Sequence, residues 1–210
     1  MSKTIVYVDG FNLYYAVKKH NAKWLDISVL CDRLLTQNEV VTIKYFTARV
    51  RSRLGDLDIH IRQNAYLRAL QSNPKIEIIF GHFLTNDKWM VQTKDAGKDS
   101  QKIKKVQVIV TEEKGSDVNI ATHLLVDGFQ NKYDIAAVIT NDSDLKLPVE
   151  MVRSVLNKPV GIICPHEHPS RELKKVASFF KCIKAETYKE CQFPDSFADS
   201  IGKVHKPKEW

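Results

Sequence analysis

The chain has 210 residues, of which 43% are hydrophobic and 27% are charged, and its formal net charge is +7. These values are ordinary for a globular domain with a substantial core, and they exclude an intrinsically disordered chain. The N-terminus has no signal-peptide pattern, and the longest apolar runs are too short to span a bilayer. We therefore expect a cytoplasmic protein without a membrane partner.

Strands and helices are predicted to alternate along the first part of the chain. Short apolar runs rich in β-branched residues indicate strands, and apolar residues at helical spacing indicate helices. The predicted elements are a strand at 3–8, helices at 12–20 and 26–35, a strand at 40–48, a helix at 56–71 and a strand at 76–83.

A polar segment separates these elements from the second part of the chain. It predicts a β-hairpin or flap inserted at about residues 84–105, with a return strand at 104–110. The elements that follow are a helix at 116–129, a strand at 136–140, a helix at 145–156, a strand at 160–164 and a helix at 170–180. The domain is expected to span residues 1–185. Residues 186–210 would then be a C-terminal extension, loosely attached from Pro194 onward.

Apolar strands that alternate with helices predict an α/β fold, in which a parallel sheet is covered on both faces. Ligands of such folds bind in the crevice at the carboxyl ends of the strands. The residues that directly follow the predicted strands are therefore the first candidates for a functional site.

Four aspartates lie where apolar runs give way to small polar residues. Asp9 follows the first predicted strand, Asp142 and Asp144 follow the strand at 136–140, and Asp117 lies in the first turn of a predicted helix. Carboxylates gathered in one crevice repel each other unless a cation is bound or their pKa values rise. The pattern predicts a site for a hard cation such as Mg²⁺ or Mn²⁺.

Simpler structural roles also account for some of these acids. Asp9 and Asn12 fit a strand-to-helix turn, in which Asn12 either caps the helix or holds Asp9 in one rotamer. Asp117 follows Ser116, the predicted N-cap, and an acid there is favoured by the helix dipole.

The T-N-D-S-D stretch at 140–144 is the most specific of these signals. Asp142 and Asp144 are two residues apart and cannot both cap one helix, so a shared cation explains them better. Thr140 and Asn141 are candidates to contact a metal-bound water or the phosphate of a substrate.

The excess of positive charge is confined to one region. Residues 42–110 contain thirteen lysines and arginines and six acids, whereas the rest of the chain contains nineteen of each. A basic surface beside an acidic pocket suits a polyanion held by its phosphates, although a generally soluble basic face is the alternative. The candidate nucleic-acid-binding residues are Arg49, Arg51, Arg53, Arg62, Lys102, Lys104, Lys105 and Lys114.

Three motifs together resemble the NYN domain family, the branch of PIN-like nucleases that includes the LabA-like proteins. They are V-D-G-F-N-L at 8–13, E-K-G-S-D-V at 113–118 and T-N-D-S-D-L at 140–145. The resemblance implies a three-layer α/β/α sandwich with a mainly parallel sheet, and Mg²⁺- or Mn²⁺-dependent cleavage of RNA. It also implies that the metal ligands are Asp9, Asp117, Asp142 and Asp144. The third motif departs from the S-G-D-G-D of many members without losing a carboxylate.

The expected function is therefore that of an endoribonuclease, in which water activated by Mg²⁺ or Mn²⁺ attacks the RNA phosphodiester. The expected catalytic residues are Asp9, Asn12, Asp117, Thr140, Asp142 and Asp144. An RNA-binding module with weak or no catalysis, a nuclease acting on DNA or 5′ flaps, and a phosphatase acting on small esters are the alternatives. RNA is the expected partner, while a homo-oligomer and an antitoxin or other protein partner remain open.

Overall fold

The computed structural model describes residues 1–52, 55–93 and 104–210, with a six-stranded sheet at the centre of the fold. The strands, in spatial order, are β3 (Ile76–Phe80), β2 (Asn38–Thr47), β1 (Ser2–Asp9), β6 (Ile135–Ile139), β7 (Val160–Cys164) and β8 (Phe179–Cys182). Every neighbouring pair in this sheet is parallel. Arg53 and Lys102, two of the predicted RNA-binding residues, lie outside the described residues.

Helices cover both faces of the sheet. One face packs against α1 (Gly10–Lys19), α2 (Ile27–Leu34), α3 (Ile59–Gln71) and α7 (Ala185–Glu190), and the other against α4 (Ser116–Phe129), α5 (Lys146–Val155) and α6 (Arg171–Val176). In β1, Val6 and Val8 enter the first core while Ile5 and Tyr7 enter the second, as the two-residue period of a strand requires. The expected α/β/α sandwich is confirmed. None of the helices in the described residues is long and apolar enough to cross a membrane.

The strand order reverses at β1, which pairs with β2 on one side and with β6 on the other. Val8 lies opposite Ile139 in the register of this central pair, so the ends of both strands are level. Residues that follow them, Asp9 and Thr140, are consequently neighbours at the carboxyl edge of the sheet. Ligands of open α/β sheets bind at such switch points.

A hairpin stands apart from the six-stranded sheet. It consists of β4 (His82–Val91) and β5 (Lys105–Lys114), paired antiparallel from His82 opposite Lys114 to Val91 opposite Lys105. The return strand begins one residue later and ends four residues later than the sequence predicts. The hairpin is largely exposed, but Phe83 near its base makes an edge-on contact with Phe11 of α1, with ring centroids 5.6 Å apart.

Two predicted elements end earlier than expected. The strand predicted at 76–83 ends at Phe80, because the chain turns at Gly81 into the hairpin. The helix predicted at 170–180 ends at Val176, and the next residues form β8 instead. A β-carbon on Gly161 of β7 would lie 1.9 Å from the ring of Phe179, so this ring fills the space that the glycine leaves.

The C-terminal residues pack against the domain, which contradicts the expectation of loose attachment. The short strands β9 (Ser196–Ala198) and β10 (Lys203–His205) pair with each other, and Val204 is 2% exposed within the first core. Asp199 accepts two hydrogen bonds of 2.7 Å from the guanidinium of Arg68. The ring of Trp210 contacts Trp24 edge-on.

Candidate active site

Asp9 ends β1 and caps the N-terminus of α1. Its Oδ1 accepts a hydrogen bond of 3.0 Å from the backbone N–H of Asn12, and its Oδ2 accepts one of 3.0 Å from the hydroxyl of Thr140. Only 5% of the residue is exposed. Burial raises the pKa of its carboxyl group to about 6, and the charges of Asp117 and Asp142 contribute to the rise. The two hydrogen bonds act in the opposite direction.

The loop after β6 brings Asp142 to the same crevice. The hydroxyl of Thr140 also accepts a hydrogen bond of 3.0 Å from the backbone N–H of Asp142. Asp142 then caps a 3-10 turn at Ser143–Leu145, where its Oδ1 accepts from the N–H of Asp144 at 3.0 Å. Thr140 is fully buried, and its hydroxyl positions Asp9 and Asp142. Its contact with a metal-bound water or a phosphate, also expected from the sequence, stays a prediction.

Asp117 lies in the first turn of α4, and a fifth acid, Glu113, lies near the end of β5 just before that helix. Burial raises the pKa of the Asp117 carboxyl, followed by the charges of Asp142, Glu113 and Asp144. The helix is capped by Gly115 at φ +98°, not by Ser116 as the sequence predicted. The Ser116 N–H and hydroxyl instead donate to Oε1 of Glu113, at 3.1 and 2.9 Å. Sequence reasoning missed Glu113, although it lies within one of the recognised motifs.

The two candidate asparagines hold the loops of the site together. Oδ1 of Asn12 accepts from the backbone N–H of Asn141 at 3.0 Å, which joins α1 to the loop after β6. The side chain of Asn141 accepts from the N–H of Ser170 at 2.7 Å and donates to the carbonyl of His168 at 3.0 Å. Asn12 is therefore not the helix cap, and the amide of Asn141 is directed to another loop rather than to a phosphate.

The carboxylates line one cavity of about 780 Å³. Asp9, Glu113, Asp117 and Asp142 are part of its lining, whereas Asp144 is exposed and lies beside it. The remaining walls include aromatic residues and cations, namely Phe11, Tyr14, Tyr15, Tyr45, Tyr66, Phe83 and Trp210 together with Lys18, Lys23 and Arg62. Apart from Arg62, none of these was a candidate from the sequence. Four of them, Phe11, Tyr14, Tyr15 and Lys18, lie at helical spacing along α1, and this pattern in the sequence could have revealed them.

The donor set suits a hard divalent cation, which prefers carboxylate oxygens. Within residues 1–52, 55–93 and 104–210, no ion pair links a lysine or arginine to any of the five acids. The same ranges contain no three His, Cys, Asp or Glu side chains already close enough to hold an ion. Hydrogen bonds hold Asp9 and Asp142 in their present rotamers. The acids therefore have the oxygen ligands of a metal site, but their side chains are not arranged around one point.

The predicted nucleic-acid-binding residues take several environments. Of the six that the structure describes, Arg62 lines the cavity, where it pairs with Asp56. Arg49 lies over the ring of Phe80 at 4.5 Å. Lys114 pairs with Glu112 at 3.1 Å. The remaining three, Arg51, Lys104 and Lys105, are exposed.

Comparisons with known proteins agree with this fold. The 6-hydroxy-3-succinoylpyridine 3-monooxygenase HspA of Pseudomonas putida (strain DSM 28022 / S16) is 28% identical over 236 aligned positions, which cover 99% of this chain and 75% of that protein. A crystal structure of a protein of unknown function from Vibrio parahaemolyticus RIMD 2210633 has a TM-score of 0.53 at 19% identity, covering 87% of this chain and 93% of the other. This second likeness shows the fold alone.

A family model, that of the NYN domain, matches residues 3–184. The match includes both central strands, all five acids and the hairpin, and it agrees with the resemblance of the three sequence motifs. The chain therefore belongs to the NYN domain family, whose fold is nuclease-like.

Proposed function

We propose that the protein is a metal-dependent endoribonuclease. The observation that carries the proposal is the group of five electrostatically coupled acids at the switch point of the sheet, with Asp9 buried and its pKa raised to about 6. Groups with such perturbed pKa values concentrate at functional sites. Membership of a family with a nuclease-like fold supports the same reaction class.

The residues that would hold the cation are Asp9, Asp117 and Asp142, with Asp144 and Glu113 beside them. A bound Mg²⁺ or Mn²⁺ supplies Lewis acidity, which favours ionisation of water and neutralises charge on phosphate oxygens. The chain's own contribution is to orient the ligands. Thr140 fixes Asp9 through its hydroxyl, and the Asn12–Asn141 hydrogen bond fixes the loop that carries Asp142.

Positive charge in the cavity and on the exposed surface supports a polyanionic substrate. Arg62 lines the cavity itself, and Arg51, Lys104 and Lys105 are exposed to solvent. Cations that contact phosphates increase affinity without reading the sequence, so this surface alone selects no particular RNA. We assign RNA rather than DNA because of the family resemblance, and this choice is open to direct test.

One assay separates the proposal from its rivals. The protein is incubated with labelled RNA, DNA of the same sequence, a 5′-flap substrate or p-nitrophenyl phosphate, with MnCl₂ or with EDTA. We expect internal cleavage of RNA that requires Mn²⁺. Binding of RNA without cleavage would favour a binding module, preferential cutting of DNA a DNA nuclease, and turnover of p-nitrophenyl phosphate alone a phosphatase.

The name of the Pseudomonas putida relative raises a second candidate, hydroxylation of a heteroaromatic ring. That relative aligns with 99% of this chain, and the cavity has aromatic walls that would accept a flat ring. Incubation with 6-hydroxy-3-succinoylpyridine, O₂ and an electron donor tests it. Formation of a hydroxylated product together with inactivity on RNA would replace the nuclease proposal.

A further inference from the structure

The cavity extends beyond the carboxylates along one side of α1. Phe11, Tyr14, Tyr15 and Lys18 all line it. They are spaced at i, i+3, i+4 and i+7, so they form a single stripe on the helix surface. We call these four residues the α1 stripe.

Packing of α1 against the sheet is provided by other residues. Leu13, Ala16 and Val17 are at most 4% exposed and face the core. In contrast, Tyr15 is 58% exposed, and its ring contacts that of Tyr14 edge-on at a centroid distance of 5.6 Å. The α1 stripe thus leaves aromatic surface facing the cavity that the core does not use.

Other elements complete an aromatic chamber around the α1 stripe. Phe83 of the hairpin contacts Phe11, and the C-terminal Trp210 contacts Tyr66 of α3 edge-on at 5.7 Å. The whole cavity, at about 780 Å³, is in the range of sites that enclose small organic molecules. Aromatic walls of this kind bind flat rings by stacking.

Positive charge gathers at the same chamber. Lys18, Lys23 and Arg62 line it, and the pKa of Lys23 is lowered by burial and then by the charges of Arg62 and Lys18. Asp56, which pairs with Arg62, and Glu209 partly offset this repulsion. A bound anion close to Lys18, Lys23 and Arg62 would offset the repulsion that remains among these three cations.

We propose that the α1 stripe is a nucleotide subsite, in which one base stacks on Tyr15 beside the ring of Tyr14. The phosphate of the same nucleotide pairs with Lys18 and Lys23. The length of α1 sets the distance between the acids and the phosphate contact. Gly10, which follows Asp9, and Lys18 are eight residues apart, or about 12 Å along the helix axis. The inference rests on the proposed RNA cleavage, since it assigns the nucleotide that flanks the cut linkage.

Binding of a short labelled RNA in EDTA, followed by fluorescence anisotropy, tests the base contact. Tyr15→Ala should weaken binding roughly tenfold, because stacking on one aromatic side chain is worth about that factor. Tyr15→Phe keeps the ring and should stay within about twofold. Phe129→Ala is the matched control, since Phe129 is 65% exposed on α4 outside the cavity. Equal affinity of Tyr15→Ala and the wild type would overturn the proposal.

The phosphate contact is tested with two adjacent lysines. Lys18→Ala should weaken binding and make its logarithmic salt dependence shallower by about one unit, because one phosphate contact is lost. Lys19→Ala changes the charge equally, but Lys19 does not line the cavity. Equal losses for the two variants would show a general charge effect and reject the phosphate assignment.

An abasic scan tests the position of the subsite. A single abasic residue is moved along a cleaved RNA, and we expect a roughly tenfold slower cleavage when it is next to the cut linkage. In Tyr15→Ala the same abasic residue should cause no further loss, because the two changes remove one interaction. Independent effects of the two changes would contradict the assignment.

Failure of the subsite and failure of the nuclease proposal give different results. If the wild type cleaves RNA and Tyr15→Ala neither binds nor cleaves differently, the subsite is wrong and the nuclease function stands. If the wild type cleaves no RNA but its binding depends on Tyr15 and Lys18, the nucleotide contact stands, whereas the cleavage proposal and the position beside a cut linkage are wrong.

Discussion

At the scale of single residues, Asp9 combines a structural role with an unfavourable charge. Its carboxylate caps α1, which stabilises the helix, but burial and neighbouring acids raise its pKa to about 6. A buried charge retained at such a cost is a feature of sites selected for chemistry rather than for stability. The Thr140 hydroxyl offsets part of the cost by donating a hydrogen bond.

Asp9→Asn should stabilise the metal-free protein at pH 8. The folded-state pKa of about 6 exceeds the ordinary value of 3.8, so ionisation of Asp9 disfavours the folded state as pH rises through this window. The penalty is complete above the higher value and absent below the lower one. We expect the free energy of unfolding to rise by roughly 1–3 kcal/mol at pH 8, since one pKa unit corresponds to about 1.4 kcal/mol.

Denaturation in EDTA at pH 8 and at pH 4 measures this effect. The gain from Asp9→Asn should vanish at the lower pH, and a separate assay with MnCl₂ at pH 8 should show that the variant has lost RNA cleavage. Asp58→Asn is the control, because Asp58 is exposed and its side chain makes no capping hydrogen bond. A loss of stability in Asp9→Asn at pH 8 would show that the carboxylate is not under electrostatic strain.

At the scale of elements, the junction of β1 and α1 depends on close approach to β2. A β-carbon on Gly10 would lie 2.4 Å from the carbonyl oxygen of Phe46 and 2.8 Å from the ring of Tyr45. Because the first contact is with backbone, the start of α1 would have to move. Asp9, the preceding residue, would move with it.

Gly10→Ala and Gly161→Ala should separate folding from activity. Both introduce a methyl group into filled space, so each should lower the free energy of unfolding by roughly 1–3 kcal/mol. Only Gly10→Ala should reduce cleavage per folded molecule, since Gly161 contacts Phe179 away from the acids. Denaturant titration and initial cleavage rates measure the two effects. Normal cleavage by Gly10→Ala would mean that the β1–α1 junction does not set the site geometry.

Local sequence was a sufficient guide where an element is defined by its own residues. The strand predicted at 160–164 is β7 without change, because a short apolar run is bounded by Pro159 and Pro165. β8 was missed, since its identity depends on pairing with β7 and on the space above Gly161. That space is formed by β7, which lies outside the local sequence of β8, so a local pattern cannot predict it.

The same division applies to the site. The positions of Asp9 and Asp142 follow from the rule that parallel strands end at one edge, and the structure places both in one cavity. Glu113 was overlooked because β5 continues four residues beyond the predicted end of the strand at 110. Trp210 joins the cavity through contacts with Lys23, Trp24 and Tyr66, which lie far from it in sequence.

At the scale of the whole molecule, we expect the six-stranded sheet to determine stability and the hairpin to contribute to RNA affinity. Asp9 and Asp142 lie at the ends of strands of the six-stranded sheet, whereas β4 and β5 form a separate two-stranded sheet that is largely exposed. Residues 87–109 carry six lysines and three aspartates, so the hairpin contributes to the basic region. This arrangement predicts that stability and RNA affinity depend on different parts of the chain.

Replacement of residues 87–109 by a two-residue Asn-Gly turn tests this division. Asn86 and Val110 are paired across the hairpin, so a tight turn can join them. The fold should persist, because the main sheet is intact. RNA affinity should fall and depend less on salt, since cationic contacts are removed. Unfolding of the shortened protein, or an unchanged salt dependence, would contradict the prediction.

The central claim is that the clustered acids act together with a divalent cation to cleave RNA. Its most direct test is a MnCl₂ titration of RNA cleavage by the wild type and by Asp142→Asn, with circular dichroism to confirm that both are folded. We predict saturable, Mn²⁺-dependent cleavage by the wild type, and a rate at least about a hundredfold lower for the variant at every concentration. Equal cleavage by the two proteins, or cleavage that persists in EDTA, would contradict the account.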